Sequence, residues 1–136
     1  MFEALEVWLT SAYPVPESDY ELARGRKTYP TNLAGAYHAS RLPVLEYLSR
    51  IRRQAGAVVF LEVSREWIPL GVWRFREICR EALRKEALRF NTLRESLGEL
   101  GRRLKLPMER WIKSSRLIGF YRKQRRIDRY LQTSYR

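Results

Sequence analysis

The sequence predicts an α+β fold: a small sheet of at least two strands packed with about four helices, followed by a mobile basic C-terminal tail. Three observations predict it. Two short stretches, Leu5–Thr10 and Ala57–Val63, have strand character. Between and after them, apolar residues recur every three or four positions, the period of a helix face. The last 35 residues, 102–136, hold twelve Lys/Arg against two Asp/Glu.

Leu5, Val7 and Leu9 alternate with Glu6 and Trp8, which predicts the first strand over Leu5–Thr10. The Pro-containing stretch Tyr13–Asp19 then reads as a loop, and the polar, basic Tyr20–Pro30 as irregular chain. From Asn32 the pattern is helical, with Tyr37, Arg41, Val44, Leu45, Leu48 and Ile51 on one stripe. Pro43 interrupts it. Either the helix kinks there, or a new helix begins with Ser40 as its cap. Gly56 bounds the β-branched run AVVFLEV, a buried strand over Ala57–Val63.

The next helix follows Pro69 and Gly71, with Val72, Phe75, Cys79, Ala82 and Leu83 on one face. Thr92 and Glu95 have the spacing of a capping box, which starts another helix striped by Leu93, Leu97, Leu100 and Leu104. Pro107 opens the last helix, and Gly119 is expected to stop it. The domain is thereby expected over residues 1–121 and the tail over 122–136.

The chain has 136 residues and 45% apolar content, enough for one modest core. Its net charge of +12 is not spread evenly. Residues 1–73 hold eight Lys/Arg and eight Asp/Glu, whereas 102–136 alone carry +10. Such concentration points to a polyanionic partner, DNA among them. The candidate nucleic-acid residues are Arg102, Arg103, Lys105, Arg110, Lys113, Arg116, Arg122 and Lys123. Trp111 and Tyr121 stand among them as candidates to stack on exposed bases. No apolar run approaches the ~20 residues that span a bilayer, and a membrane-surface partner is disfavoured because the basic helix lacks a broad apolar face.

Cys79 is the single cysteine, so no internal disulfide forms and a reducing, cytoplasmic setting fits. With one Cys and one His, no metal and no cofactor are expected. His38 lies beside Tyr37 and Arg41, but no nucleophile–base set can be traced, and catalytic residues remain unassigned. Arg41, Glu46, Arg53, Glu62, Arg76 and Glu77 admit two readings. They form a buried charge network, or Tyr37, His38, Arg41, Glu62 and Arg76 line a cleft for a DNA- or nucleotide-processing reaction.

The tail carries the nonamer QRRIDRYLQ, residues 124–132. Ile127, Tyr130 and Leu131 stand at i, i+3 and i+4, so one helical turn brings them to one side. With Gln124 upstream, the pattern resembles the PCNA-interacting peptide, by which client proteins plug into a sliding clamp. The resemblance implies that Ile127, Tyr130 and Leu131 fill an apolar pocket and Gln124 a small polar one. Leu131 stands where the strongest form has a second aromatic residue. The alternative is that these residues continue the last helix and pack on the domain itself.

Three body segments carry a second resemblance. They are LAGAYHASRLPVLEYLSRIRRQA (33–55), VVFLEVSREWIPLGVWRFREICREAL (58–83) and LKLPMERWIKSSRLI (104–118). The most specific parts are Leu70-Gly71-Val72-Trp73 with Arg76-Glu77, and Ala39-x-Arg41 followed by Leu45-Glu46. Together they resemble the C-terminal domain of the archaeal Nre family of DNA-repair proteins, over roughly residues 33–131. Pro43 stands where the family pattern generally has Ala. The resemblance implies a role in DNA repair or replication, with PCNA as partner through the tail. It also implies a separate N-terminal Nre-like half, cysteine-rich and metal-binding, which this chain could not build. Either the chain is a short paralogue or that half is supplied elsewhere.

Overall fold

The structure, a computed structural model, describes residues 1–9, 12–64, 66 and 71–124. Its centre is a three-stranded sheet in the order β2-β1-β3. Strand β1, Phe2–Trp8, pairs antiparallel with β2, Glu17–Glu21, and parallel with β3, Ala57–Val63. Among the described residues five helices surround it: α1 (Ala34–Arg50), α2 (Val72–Arg84), α3 (Leu93–Gly101), α4 (Met108–Ser114) and α5 (Arg116–Lys123).

β1 starts three residues earlier than its alternation suggests. As the middle strand it has every residue from Phe2 to Val7 buried, so it does not show the polar/apolar contrast of a half-buried strand. Its even positions Phe2 and Ala4 pack on Leu33, Tyr37 and Val44. Its odd positions Leu5 and Val7 pack on Leu106 and Trp111. β3 alternates in the same way. Leu61 and Val63 join Ala36, Ala39, Phe75 and Cys79, while Val58 and Phe60 face the Leu5–Trp111 cluster.

β2 falls within the stretches expected to be loop and irregular chain. Its sequence ESDYE has no strand composition. It holds its place because Asp19 and Glu21, both buried, find partners in the turn before α1 and on α1 itself.

α1 runs unbroken through Pro43 for 17 residues. Ser40 caps nothing; its hydroxyl donates backwards to the carbonyls of Ala36 (2.8 Å) and Tyr37 (3.1 Å). The helix ends in a paired-bond stop: Arg53 N–H reaches Leu48 O at 3.0 Å, and Arg52 N–H reaches Ser49 O at 3.1 Å. That geometry puts Arg52 at φ 52°, a position glycine would occupy without strain.

α3 starts where the capping spacing places it. Thr92 Oγ1 accepts from Glu95 N–H at 3.2 Å. The return bond goes one residue beyond the box, to Asn91 N–H at 3.2 Å. The last helix of the sequence reading is two helices. Ser115, in extended conformation, ends α4 and caps α5, accepting from Ile118 N–H at 3.1 Å. Gly119 therefore lies inside α5 and stops nothing, and α5 continues through Arg122 and Lys123.

Candidate functional site

The side chains proposed for a cleft are distributed over both faces of the sheet. Tyr37 is fully buried, edge-on to Phe2 with ring centroids 5.2 Å apart. Its burial, reinforced by the neighbouring Glu21 carboxylate, pushes the hydroxyl well above the usual tyrosine range. Arg41 Nε donates to Glu21 Oε1 at 2.6 Å. His38 is exposed, with Tyr29 at 5.2 Å and Tyr37 at 5.6 Å between ring centroids. No hydrogen bond among the described residues ties it to a carboxylate, a serine or Cys79.

Glu62 lies across the sheet from Tyr37 and Arg41. Its two oxygens accept the N–H groups of Lys105 (2.9 Å) and Leu106 (2.8 Å), holding the turn before α4. Arg76 sits on α2, its Nε buried without a hydrogen-bond partner among the described residues. Glu46 and Glu77 meet through Arg80, which the sequence did not single out. Arg80 grips both oxygens of Glu46 at 3.0 and 2.7 Å and donates to Glu77 at 2.7 Å. These bonds hold the Glu46 carboxyl below the usual carboxylate range. The charges thus mostly clamp elements together; Arg41 and Arg53 share an open cavity of about 490 Å³ with Glu21, and Tyr37, His38, Glu62 and Arg76 do not line it.

Two buried glutamates escaped the sequence reading. Glu3, fully buried, accepts from the Ser115 hydroxyl, from Arg116 N–H (2.7 Å) and from Leu117 N–H (3.0 Å). It fixes the positive end of α5 to the middle strand. Glu6, 6% exposed, makes no such bond among the described residues, and burial pushes its carboxyl up to about 7. Charged residues inside an otherwise apolar strand were the available signal.

The basic candidates are all exposed. They divide by partner. Arg102 and Arg103 both bind Glu99, at 2.8 and 2.9 Å. Arg110 donates to Pro14 O at 2.9 Å. Lys105, Lys113, Arg116, Arg122 and Lys123 have no ion pair among the described residues. Trp111 is no stacking platform: it is completely buried, edge-on to Phe60 at 5.4 Å between centroids. Tyr121 is exposed, as is Phe120 beside it.

Gln124, the first residue of the nonamer, is the C-cap of α5, exposed and in extended conformation at ψ 123°. Ile127, Tyr130 and Leu131 lie outside the described residues. Gln124 lines an open apolar cavity of about 490 Å³ with Tyr121, Ile118, Leu93, Phe90 and Val58.

No group of three or more His, Cys, Asp or Glu among the described residues is placed to hold a metal ion. No helix among them is long and apolar enough to cross a membrane.

Comparison with known families matches the chain to the family described as Archaeal Nre, C-terminal, over residues 21–130. The chain belongs to that family. This Nre C-terminal domain is similar to the DNA repair protein NreB of Archaeoglobus fulgidus, 40% identical over 102 residues, covering 74% of the chain and 26% of that protein. It is similar to NreA of the same organism, 36% identical over 109 residues, covering 76% of the chain and 28% of that protein. Against NreA of Haloferax volcanii it is 42% identical over 94 residues, covering 64% and 22%. The Nre chain therefore spans about a quarter of the length of these curated relatives. No solved structure matches it.

Proposed function

We propose that this Nre domain serves DNA repair and is delivered to its place of work by its C-terminal residues, which dock on the sliding clamp PCNA. The relatives named as DNA repair proteins support the first part. The observation that carries the second is the end of α5. The helix closes at Lys123, and Gln124 leaves it extended and exposed. A tail that merely prolonged the last helix across the domain would require α5 to continue through Gln124.

In this reading Ile127, Tyr130 and Leu131 enter an apolar pocket of the clamp, and the Gln124 amide donates and accepts in a polar niche beside it. Each apolar anchor contributes about 1.5–3 kcal/mol on full burial. Ordering the backbone costs ~1 kcal/mol or more per residue, so the net affinity falls on the order of micromolar. Fluorescence anisotropy of a labelled peptide of residues 118–136 titrated with PCNA tests it. Saturable binding is expected, weakened at least tenfold by Ile127→Ala with Tyr130→Ala. Equal binding by the doubly substituted peptide sinks the proposal.

A second reading has its own observation. Lys105, Lys113, Arg116, Arg122 and Lys123, exposed and without an ion pair among the described residues, with Tyr121 among them, suit sequence-independent contact with DNA phosphates. It is compatible with clamp docking. An enzymatic cleft around Tyr37, His38 and Arg41 draws no such support, given the buried Tyr37 and the Glu21-bound Arg41.

A further inference from the structure

We propose that the apolar trough between β3, α3 and α5 holds this chain's own residues 125–131, so that the domain and the clamp compete for the same side chains. The inference rests on the clamp-docking reading of Gln124, Ile127, Tyr130 and Leu131, and adds a regulatory contact to it.

The trough comprises two openings of about 490 and 390 Å³. They share Val58, Phe90, Leu93, Ser96 and Ile118, so they form one continuous depression. Its walls are chiefly aliphatic and aromatic. α3 forms one of them and has no buried residue, although Leu93, Leu97 and Leu100 stripe its inner face. Such a leucine stripe is left half-covered by the described residues.

The position of the chain's exit selects the occupant. Gln124 lies on the lip of the larger opening, with twelve residues following it. At full extension Ile127 reaches ~10 Å and Leu131 ~23 Å from that point, against a length of ~14 Å for the nine residues of α3. The three apolar side chains are therefore within reach of the trough. Arg125, Arg126 and Arg129 would then run past α3, which presents Glu95; Glu99 is already held by Arg102 and Arg103. A tethered segment also has an effective concentration on the order of millimolar, which a separate molecule rarely matches. A second copy is the poorer occupant, because each chain brings a charge of +12.

The test uses the full chain. Methyl NMR spectra are compared between the wild type and the variant Ile127→Ala/Tyr130→Ala/Leu131→Ala, whose changes lie outside the described domain. Shifts confined to Val58, Leu93, Leu97 and Ile118 are expected, and added PCNA should move the wild-type resonances toward those of the variant. Superimposable spectra overturn the proposal. So do shifts that depend on protein concentration, which would make a second copy the occupant.

The competition is tested by Leu97→Gln, on a helix with no buried residue. If about nine-tenths of the chains are docked, weakening that contact tightens PCNA binding up to ~10-fold. Unchanged affinity beside normal clamp binding overturns the competition. Should neither peptide nor chain bind PCNA, the clamp reading fails and the competition with it, while the methyl comparison still decides whether the trough takes the tail.

Discussion

Asp19 Oδ2 accepts the N–H of Leu33 at 2.7 Å, so the edge strand caps the first helix from 14 residues away. Leu33 has no side chain able to do this for itself. The same oxygen takes Asn32 N–H at 3.0 Å, and Oδ1 takes Arg26 Nη1 at 3.1 Å. One buried carboxylate thus joins β2, the following loop and α1.

Asp19→Ala removes that junction and leaves two N–H groups without an acceptor. A loss of about 2–3 kcal/mol is expected, from the lost cap and the unpaired donors together. Urea denaturation followed by circular dichroism measures it. A loss below about 0.5 kcal/mol would reduce the contact to an incidental one.

Glu6 predicts how stability varies with pH. Its folded pKa of about 7 lies above the ordinary carboxylate value of 4.5, so the folded chain holds a proton that the unfolded chain gives up between those values. The contribution is therefore fully present below 4.5 and lost as pH rises through 7. Glu6→Gln should flatten this part of the profile and stabilise the domain at pH 8 by on the order of 2 kcal/mol. Parallel profiles for wild type and variant over pH 4.5–8 would contradict it.

The sequence revealed elements whose signal is local and hid those whose cause is distant. β3 and the start of α3 were legible because β-branched residues and a Thr–Glu cap act over a few positions. β2 was not, since ESDYE becomes a strand only once Leu33 and Arg41 hold its acids. Nor was the division at Ser115, where Glu3 binds the start of α5 from 112 residues earlier. In the candidate site, the last helix was expected to stop at Gly119, whereas α5 closes only at its C-cap, Gln124. Trp111 was misjudged, because its basic neighbours face water while its own ring is at the centre of the core.

Gly119 and Gly98 lie within helices, and an added Cβ at either meets nothing within 4 Å. Replacing each by Ala limits the freedom of the unfolded chain without crowding the folded one. Each substitution should add about 0.5–1 kcal/mol, additively because they sit on separate helices. A melting temperature that falls in either variant would show that the backbone there needs glycine.

Cys79 is buried between α1, α2 and β3, and burial pushes its thiol up to about 11. At pH 8 almost none of it is the reactive thiolate. Iodoacetamide should label the folded chain at least tenfold more slowly than the urea-unfolded chain, with labelling restored on denaturation. Rapid labelling in native buffer would mean that this part of the core opens readily.

Salt separates the two kinds of contact assigned to the basic quarter. Phosphate binding releases counterions, so the logarithm of affinity falls with the logarithm of salt at a slope of about −0.9 per phosphate neutralised. Replacing Lys113, Arg116, Arg122 and Lys123 with Gln should reduce the slope for duplex DNA by about 3–4 if all four engage phosphates. Exposed and without an ion pair among the described residues, they should be more effective than Arg102 and Arg103, whose charges are already shared with Glu99. The proposed clamp docking would depend on buried apolar anchors and should change far less over the same salt range. A variant that keeps the wild-type slope removes these four cations from the DNA surface and leaves the apolar residues of the tail as the better-supported contact.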